Sequence, residues 1–135
     1  MIASPSSPTY FPTTISMNPA WRDTLVHLIV VSSFSDSSPQ SVVDAVYRDI
    51  TYTKTAALRK LSPDTGAYFN EADFYEVDWQ TSFFGENYEE LRRVKEKYDP
   101  GSVLWCRRCV GSEGLVEMRD GRLCKPTIGE ERQEL

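Results

Sequence analysis

Residues 66–99 read GAYFNEADFYEVDWQTSFFGENYEELRRVKEKYD, and the two halves of that run obey different rules. In the first half Tyr68, Phe69, Phe74, Tyr75 and Trp79 stand among Asn70, Glu71, Asp73, Glu76 and Asp78. These apolar positions follow neither the 3.6-residue spacing of a helix nor the strict alternation of a strand. The half is expected to be a long ordered loop packed beneath its own rings, entered at Gly66. Ordered loops of that length carry function disproportionately. In the second half Phe84, Tyr88, Leu91, Val94 or Lys95, and Tyr98 fall on one helical face. Glu86, Glu89 and Glu90 come early and Arg92, Arg93, Lys95 and Lys97 late, which complements the helix dipole. Glu89 and Arg93 are spaced for an i, i+4 pair. Asp99-Pro100-Gly101 stops the helix.

Upstream, Val43, Val46, Ile50, Ala57 and Leu61 recur at helical spacing and predict one long helix over 39–61. Ser38 is the candidate N-cap, with Pro39 at the first helical position. Thr51, Thr53 and Thr55 lower its intrinsic propensity, so packing must hold it. Arg48, Lys54, Arg59 and Lys60 read as a solvated face. Before that helix, 25–31 is a near-continuous apolar run with β-branched residues, which predicts a strand covered on both faces. His27, the single histidine, lies inside that run and is expected to be a hydrogen-bonded core residue. Residues 1–17 are rich in Ser, Thr and Pro and read as a disordered or extended lead-in.

Downstream, Val103-Leu104-Trp105 is a short strand candidate. A second lies at 115–118, followed by an Asp120-Gly121 turn, and the charged end over 128–135 is expected to fray. Ser112 and Glu113 read as turn residues, since no histidine is near to make Ser112 a nucleophile. Of three cysteines, Cys106 and Cys109 form a Cys-x-x-Cys. A zinc site would need two further ligands, and only Cys124 and His27 remain, without a paired spacing. Arg107 and Arg108 inside the motif would favour a reactive thiolate, but the strand-then-helix setting of a thioredoxin-like motif is missing. The cysteines therefore read as structural, with a disulfide to Cys124 left open and no metal site expected.

The chain has 135 residues, enough for one domain or part of one. Its net charge of −5 argues against a nucleic-acid partner, which calls for clustered Lys and Arg. The longest apolar run, 25–31, is far below a membrane-spanning length, so no membrane association is expected. The first residues lack the basic and apolar pattern of a signal peptide.

A resemblance adds to this reading. Tyr68-Phe69-Asn70-Glu71-Ala72-Asp73, Asp78-Trp79-Gln80, Phe84-Gly85-Glu86-Asn87-Tyr88, Leu91, Lys95 and Tyr98-Asp99-Pro100 occur in fixed order. Together they resemble the C-terminal signature of the berberine-bridge-enzyme-like, FAD-linked oxidoreductases of the fungal type. Asn18-Pro19-Ala20-Trp21-Arg22 and Val110-Gly111-Ser112-Glu113 fit the same pattern on either side. The match covers most of 18–124, and its specificity lies in its several parts taken together.

The resemblance implies an α+β segment of a larger flavoenzyme fold: a partial sheet with one buried strand, two main helices and short C-terminal strands. Residues 1–17 would be the lead-in, 18–65 the strand and long helix of a substrate domain, 66–124 the berberine-like segment and 125–135 a charged tail. FAD is the implied cofactor, held in the main by a domain outside this chain, and the implied substrate is a small organic molecule. Family members commonly carry Tyr-x-Asn-Tyr where this chain has Tyr68-Phe69-Asn70-Glu71. A tyrosine of that region acts as catalytic base in several of them. Here Glu71, if buried against the rings, and Tyr68 are the two candidate bases, and Asn70 is the candidate flavin contact. The alternative reading is a non-catalytic interaction module, or a product that pairs with a separate flavin subunit. Isolated, the chain is expected to be inactive.

Overall fold

The computed structural model describes residues 15–118 and 120–126. Residues 1–14 of the lead-in read over 1–17, and 127–135 of the tail read over 125–135, lie outside the described residues. The chain is α+β and divides into two compact units, which meet in sequence at Asn87 and Tyr88.

The first unit is helical. A 3₁₀ turn, Pro19–Arg22, is followed by an irregular stretch and then by a continuous helical run. That run comprises α1 (Gln40–Asp49), a wider π segment (Ile50–Thr55) and α2 (Ala56–Leu61). The long helix predicted over 39–61 is therefore present, with its start shifted. Pro39, not Ser38, holds the cap position, and its carbonyl accepts from Val42 N and Val43 N at 2.9 and 3.3 Å. Ser38 N instead donates to Ser35 O at 2.8 Å, closing the preceding turn. The π segment coincides with Thr51, Thr53 and Thr55, whose branched side chains crowd a regular α-turn. Ser62, at φ −147°, ends the run.

The aromatic stretch is less irregular than its composition implied. A 3₁₀ turn, Phe69–Glu71, is followed by a two-turn helix, α3 (Trp79–Phe84), and by a second 3₁₀ turn, Gly85–Asn87. The loop prediction fails over α3 because Trp79 and Phe83, one helical turn apart, both face inward and are buried. Asp78 at φ +31° opens this helix and Gly85 at φ +58° closes it. Phe69 packs edge-on against Phe83, with ring centroids 5.4 Å apart.

Asn18 ties this unit together. Its side chain accepts from Ala20 N at 3.0 Å, capping the first turn, and donates to Ser82 O at 2.9 Å. Ser82 O also accepts from Ala67 N at 2.7 Å. Asn18 is buried, and the spaces beside it are those where Gly66 and Gly85 lack a Cβ.

The predicted buried strand over 25–31 is corrected. Residues 28–31 form no strand among the described residues, and Leu25 and Val31 are 70% and 81% exposed. A strand of that composition needs neighbours on both edges and cover on both faces, and none of the described elements supplies them.

The second unit begins with α4 (Tyr88–Tyr98), which carries the predicted acidic start and basic end. Tyr88 is buried; its hydroxyl donates to Glu113 Oε2 at 2.6 Å and accepts from Gly111 N at 3.2 Å. Burial and the Glu113 carboxylate push the Tyr88 phenol well above its ordinary range. Asp99 ends α4: it pairs with Lys95 and accepts from Val103 N and Leu104 N at 2.8 and 3.0 Å. The predicted strand at Val103-Leu104-Trp105 is corrected, since Asp99 and Lys95 take the backbone groups a ladder would use. A 3₁₀ turn, Ser112–Gly114, leads to an antiparallel hairpin of β1 (Val116–Glu117) and β2 (Leu123–Cys124), where the sequence placed an extended piece and a turn. Val116 faces Cys124 and Glu117 faces Leu123, and Gly121 supplies φ +79° in the turn. Cys106 and Cys109 form a disulfide and Cys124 is a free thiol, which answers the open pairing.

Candidate active site

The first unit holds a cavity of about 500 Å³. Three stretches wall it: the apolar run from Val26 to Val31, the inward face of the long helix at Val46, Tyr47, Ile50 and Leu58, and the loop carrying Tyr68 and Glu71. The apolar run that failed to form a strand therefore has a surface to line. Aromatic contacts support one side: Tyr47 packs against Phe34 and Tyr75, with centroids 5.8 and 5.2 Å apart.

Tyr68 stands at the junction of these walls. Its ring meets the edges of Trp21 and His27 at centroid distances of 6.1 Å each, and Trp21 and His27 meet at 5.3 Å. All three contacts are T-shaped. His27 is thus half-buried between ring edges rather than a core residue. The signal that could have found it is its distance in sequence from Asn18-Pro19-Ala20-Trp21: the short turn folds Trp21 back towards it.

Of the three expected site residues, Tyr68 and Asn70 touch directly. Asn70 Nδ2 donates to the Tyr68 hydroxyl at 3.1 Å. Glu71 N donates to Tyr68 O at 3.0 Å, so the 3₁₀ turn fixes Glu71 one turn beyond Tyr68. Tyr68 and Glu71 both line the cavity, whereas Asn70 does not. Glu71 is exposed, so the burial that its role as a base was to rest on is not supplied by the described residues.

The carboxylate that is buried is Glu76, at 3% exposure. It pairs with Arg59 of α2 and accepts from Ser82 Oγ at 2.8 Å. Arg59, which the sequence places on a solvated face, is thus drawn to a buried partner. The pairing is long-range, and no local pattern announces it. Asp73 does cap, accepting from Tyr75 N at 3.0 Å. Among the described residues, no group of three or more His, Cys, Asp and Glu is placed to hold a metal ion. No helix of the described residues is long and apolar enough to cross a membrane.

Comparison with known proteins gives these residues a context. The family model described as berberine and berberine like matches residues 67–110. An FAD-linked oxidoreductase of Gibberella zeae is 36% identical over 115 residues, covering 85% of this chain and 20% of the relative. A second, from Hypomyces subiculosus, is 40% identical over 115 residues and covers 81% of this chain and 17% of the relative. A solved VAO-type flavoprotein of Myceliophthora thermophila superposes with a TM-score of 0.73 at 35% identity, covering 84% of this chain and 20% of that one. The chain thus spans no more than about a fifth of the length of these relatives.

Proposed function

With the chain identified as a berberine-like segment of the fungal FAD-linked oxidoreductases, we propose that it is the C-terminal, substrate-side part of an enzyme that oxidises a small organic molecule. The observation that carries this reading is the Tyr68 hydroxyl, held by Asn70 Nδ2 in the wall of a largely apolar cavity. Apart from His27, the cation among the lining residues is Arg59, and it is committed to Glu76. Such a wall fits an apolar substrate and the edge of a flavin ring, and it offers no cradle for the pyrophosphate of FAD. A domain outside the matched segment is therefore the partner that binds most of the cofactor. A bound flavin supplies the two-electron oxidation.

The residues of this chain then act on position and proton. The aromatic edges of Trp21 and Tyr68 exclude water and orient the substrate. Because Asn70 occupies a lone pair of the Tyr68 oxygen, the phenol hydrogen is left to point elsewhere, and Tyr68 Oη is the atom at which a substrate proton is held or exchanged. Glu71 is the second candidate base, and Asn70 the candidate contact to the flavin edge. In this reading 18–65 belongs to the substrate domain and 66–124 is the berberine-like segment.

The reading is tested by placing residues 18–124 in the matching stretch of the Myceliophthora flavoprotein and measuring flavin reduction by its substrate. Tyr68→Phe is expected to slow reduction by about 10²–10⁴-fold while leaving the flavin spectrum intact, the range for loss of general acid–base assistance. A Tyr68→Phe rate equal to that of the unsubstituted chimera would overturn the proton role of Tyr68.

A second reading is favoured by the exposure of Leu25, Val31, Val103 and Leu104. It makes the chain a non-catalytic module that associates with a flavin-bearing polypeptide through apolar surface. Rates indifferent to Tyr68→Phe and to Glu71→Gln would support it.

A further inference from the structure

We propose that Cys106 and Cys109 are a reversible thiol–disulfide exchange site in the second unit, one that takes a small dithiol or a glutathione-type thiol as its reductant. Four observations carry this.

The two cysteines are bonded within a single turn, in which Cys109 N donates to Cys106 O at 3.1 Å. The turn keeps the partners together when the bond opens, so re-closure is intramolecular and does not compete with other thiols. Cys106 is exposed and Cys109 is half-buried, which gives an incoming thiolate one accessible sulfur. The two residues between them are Arg107 and Arg108, so positive charge adjoins the cysteines in sequence, and exchange passes through thiolates at each step. Arg107 is anchored by Glu117 of β1 at 2.6 Å, which holds the motif against the hairpin.

The exchange balances as follows. A thiolate of the reductant attacks Cys106 Sγ, forming a mixed disulfide and releasing Cys109 as a thiolate that takes up a proton. The dithiol's second thiolate, or the thiolate of a second glutathione-type molecule, then attacks the reductant's sulfur in the mixed disulfide and releases Cys106 as a thiolate that takes up a proton. Two electrons and two protons pass from one dithiol or two monothiols to the pair, and the reductant leaves as its disulfide.

The consequence reaches the rest of the unit. Cys109 O accepts from Ser112 N at 3.0 Å, and the adjoining Gly111 N donates to the Tyr88 hydroxyl at 3.2 Å. Trp105, next to Cys106, donates from Nε1 to Ser112 O at 3.2 Å. Opening the disulfide removes the covalent restraint on the turn that presents these groups. Cys124 lies outside the pair and stays a free thiol in both states.

The test uses the full chain, folded, in glutathione buffers of graded ratio, followed by acid quench, alkylation and peptide mass mapping. Cys106 and Cys109 are expected to become alkylated together, over one two-electron transition, with Cys124 alkylated throughout. Tryptophan fluorescence should change over the same transition and lose that change in Trp105→Phe. The double variant R107Q/R108Q should reduce several-fold more slowly in the native state. A pair that resists excess dithiothreitol until the chain unfolds would overturn the proposal. Re-oxidation that joins either cysteine to Cys124, or rates equal in the wild type and R107Q/R108Q, would do so too.

Discussion

The side-chain amide of Asn18 donates to the carbonyl oxygen of Ser82 at 2.9 Å, joining residues 64 positions apart. The same side chain caps the Pro19–Arg22 turn, so one residue both caps that turn and fastens it to α3. Asn18→Ala removes the cap and a buried hydrogen bond and is expected to cost about 2 kcal/mol. Urea unfolding of the full chain, with the m-value unchanged, checks this.

Gly66 provides the room for that bond. A Cβ there would stand 2.9 Å from Ser82 O and 2.5 Å from Asn18 Nδ2. Neither neighbour can retreat without breaking the contact. Gly66→Ala is therefore expected to destabilise by about 1–3 kcal/mol through overpacking, despite the usual entropic gain of an alanine. A rise in urea midpoint would refute the crowding.

Arg59 and Glu76 form the link from α2 to the aromatic stretch. Arg59→Met leaves Glu76 buried with Ser82 as its remaining named partner. The arginine is 36% exposed, so water screens part of the loss, and we expect about 1–3 kcal/mol rather than the full penalty of a buried orphan charge. The double replacement R59M/E76L should recover part of it, because an apolar pair removes the unpaired charge as well. A double variant less stable than Arg59→Met would contradict this account of the pair.

Tyr88 makes the second unit sensitive to alkali. Its phenol is raised in the fold by burial and by the Glu113 bond, against an ordinary value of 10.0. A raised phenol favours the protonated, folded form. Its contribution is complete below the unfolded value and is lost as pH rises through 10 towards the folded one. Stability should fall more steeply between pH 9 and 11 in the wild type than in Tyr88→Phe. Parallel pH profiles for the two proteins would refute the link.

The sequence revealed whatever rests on local periodicity. The long helix ending at Leu61, the helix Tyr88–Tyr98 with its charge order and the extended pieces near Val116 are all set by neighbours a few residues apart. What it hid depends on long-range partners or on context. Glu76 reads as a surface carboxylate until Arg59, 17 positions away, is brought to it. The apolar run over 25–31 has the composition of a covered strand, and the described chain presents no neighbour to pair with it. Helix α3 is only six residues long, so Trp79 and Phe83 are too few to mark a helical period in the sequence. Within the candidate site, Tyr68 and Asn70 were legible through the family signature, whereas the ring contact of His27 with Trp21 and Tyr68 depends on how the turn at Pro19–Arg22 folds.

The proposed function gives this chain the wall beside a substrate and leaves the flavin to residues outside the matched segment. The direct measurement is visible absorbance of the purified full chain after incubation with excess FAD and exhaustive dialysis. A colourless protein, with all flavin recovered in the dialysate, is the predicted result. One flavin retained per chain, with the absorbance of a bound ring, would contradict it.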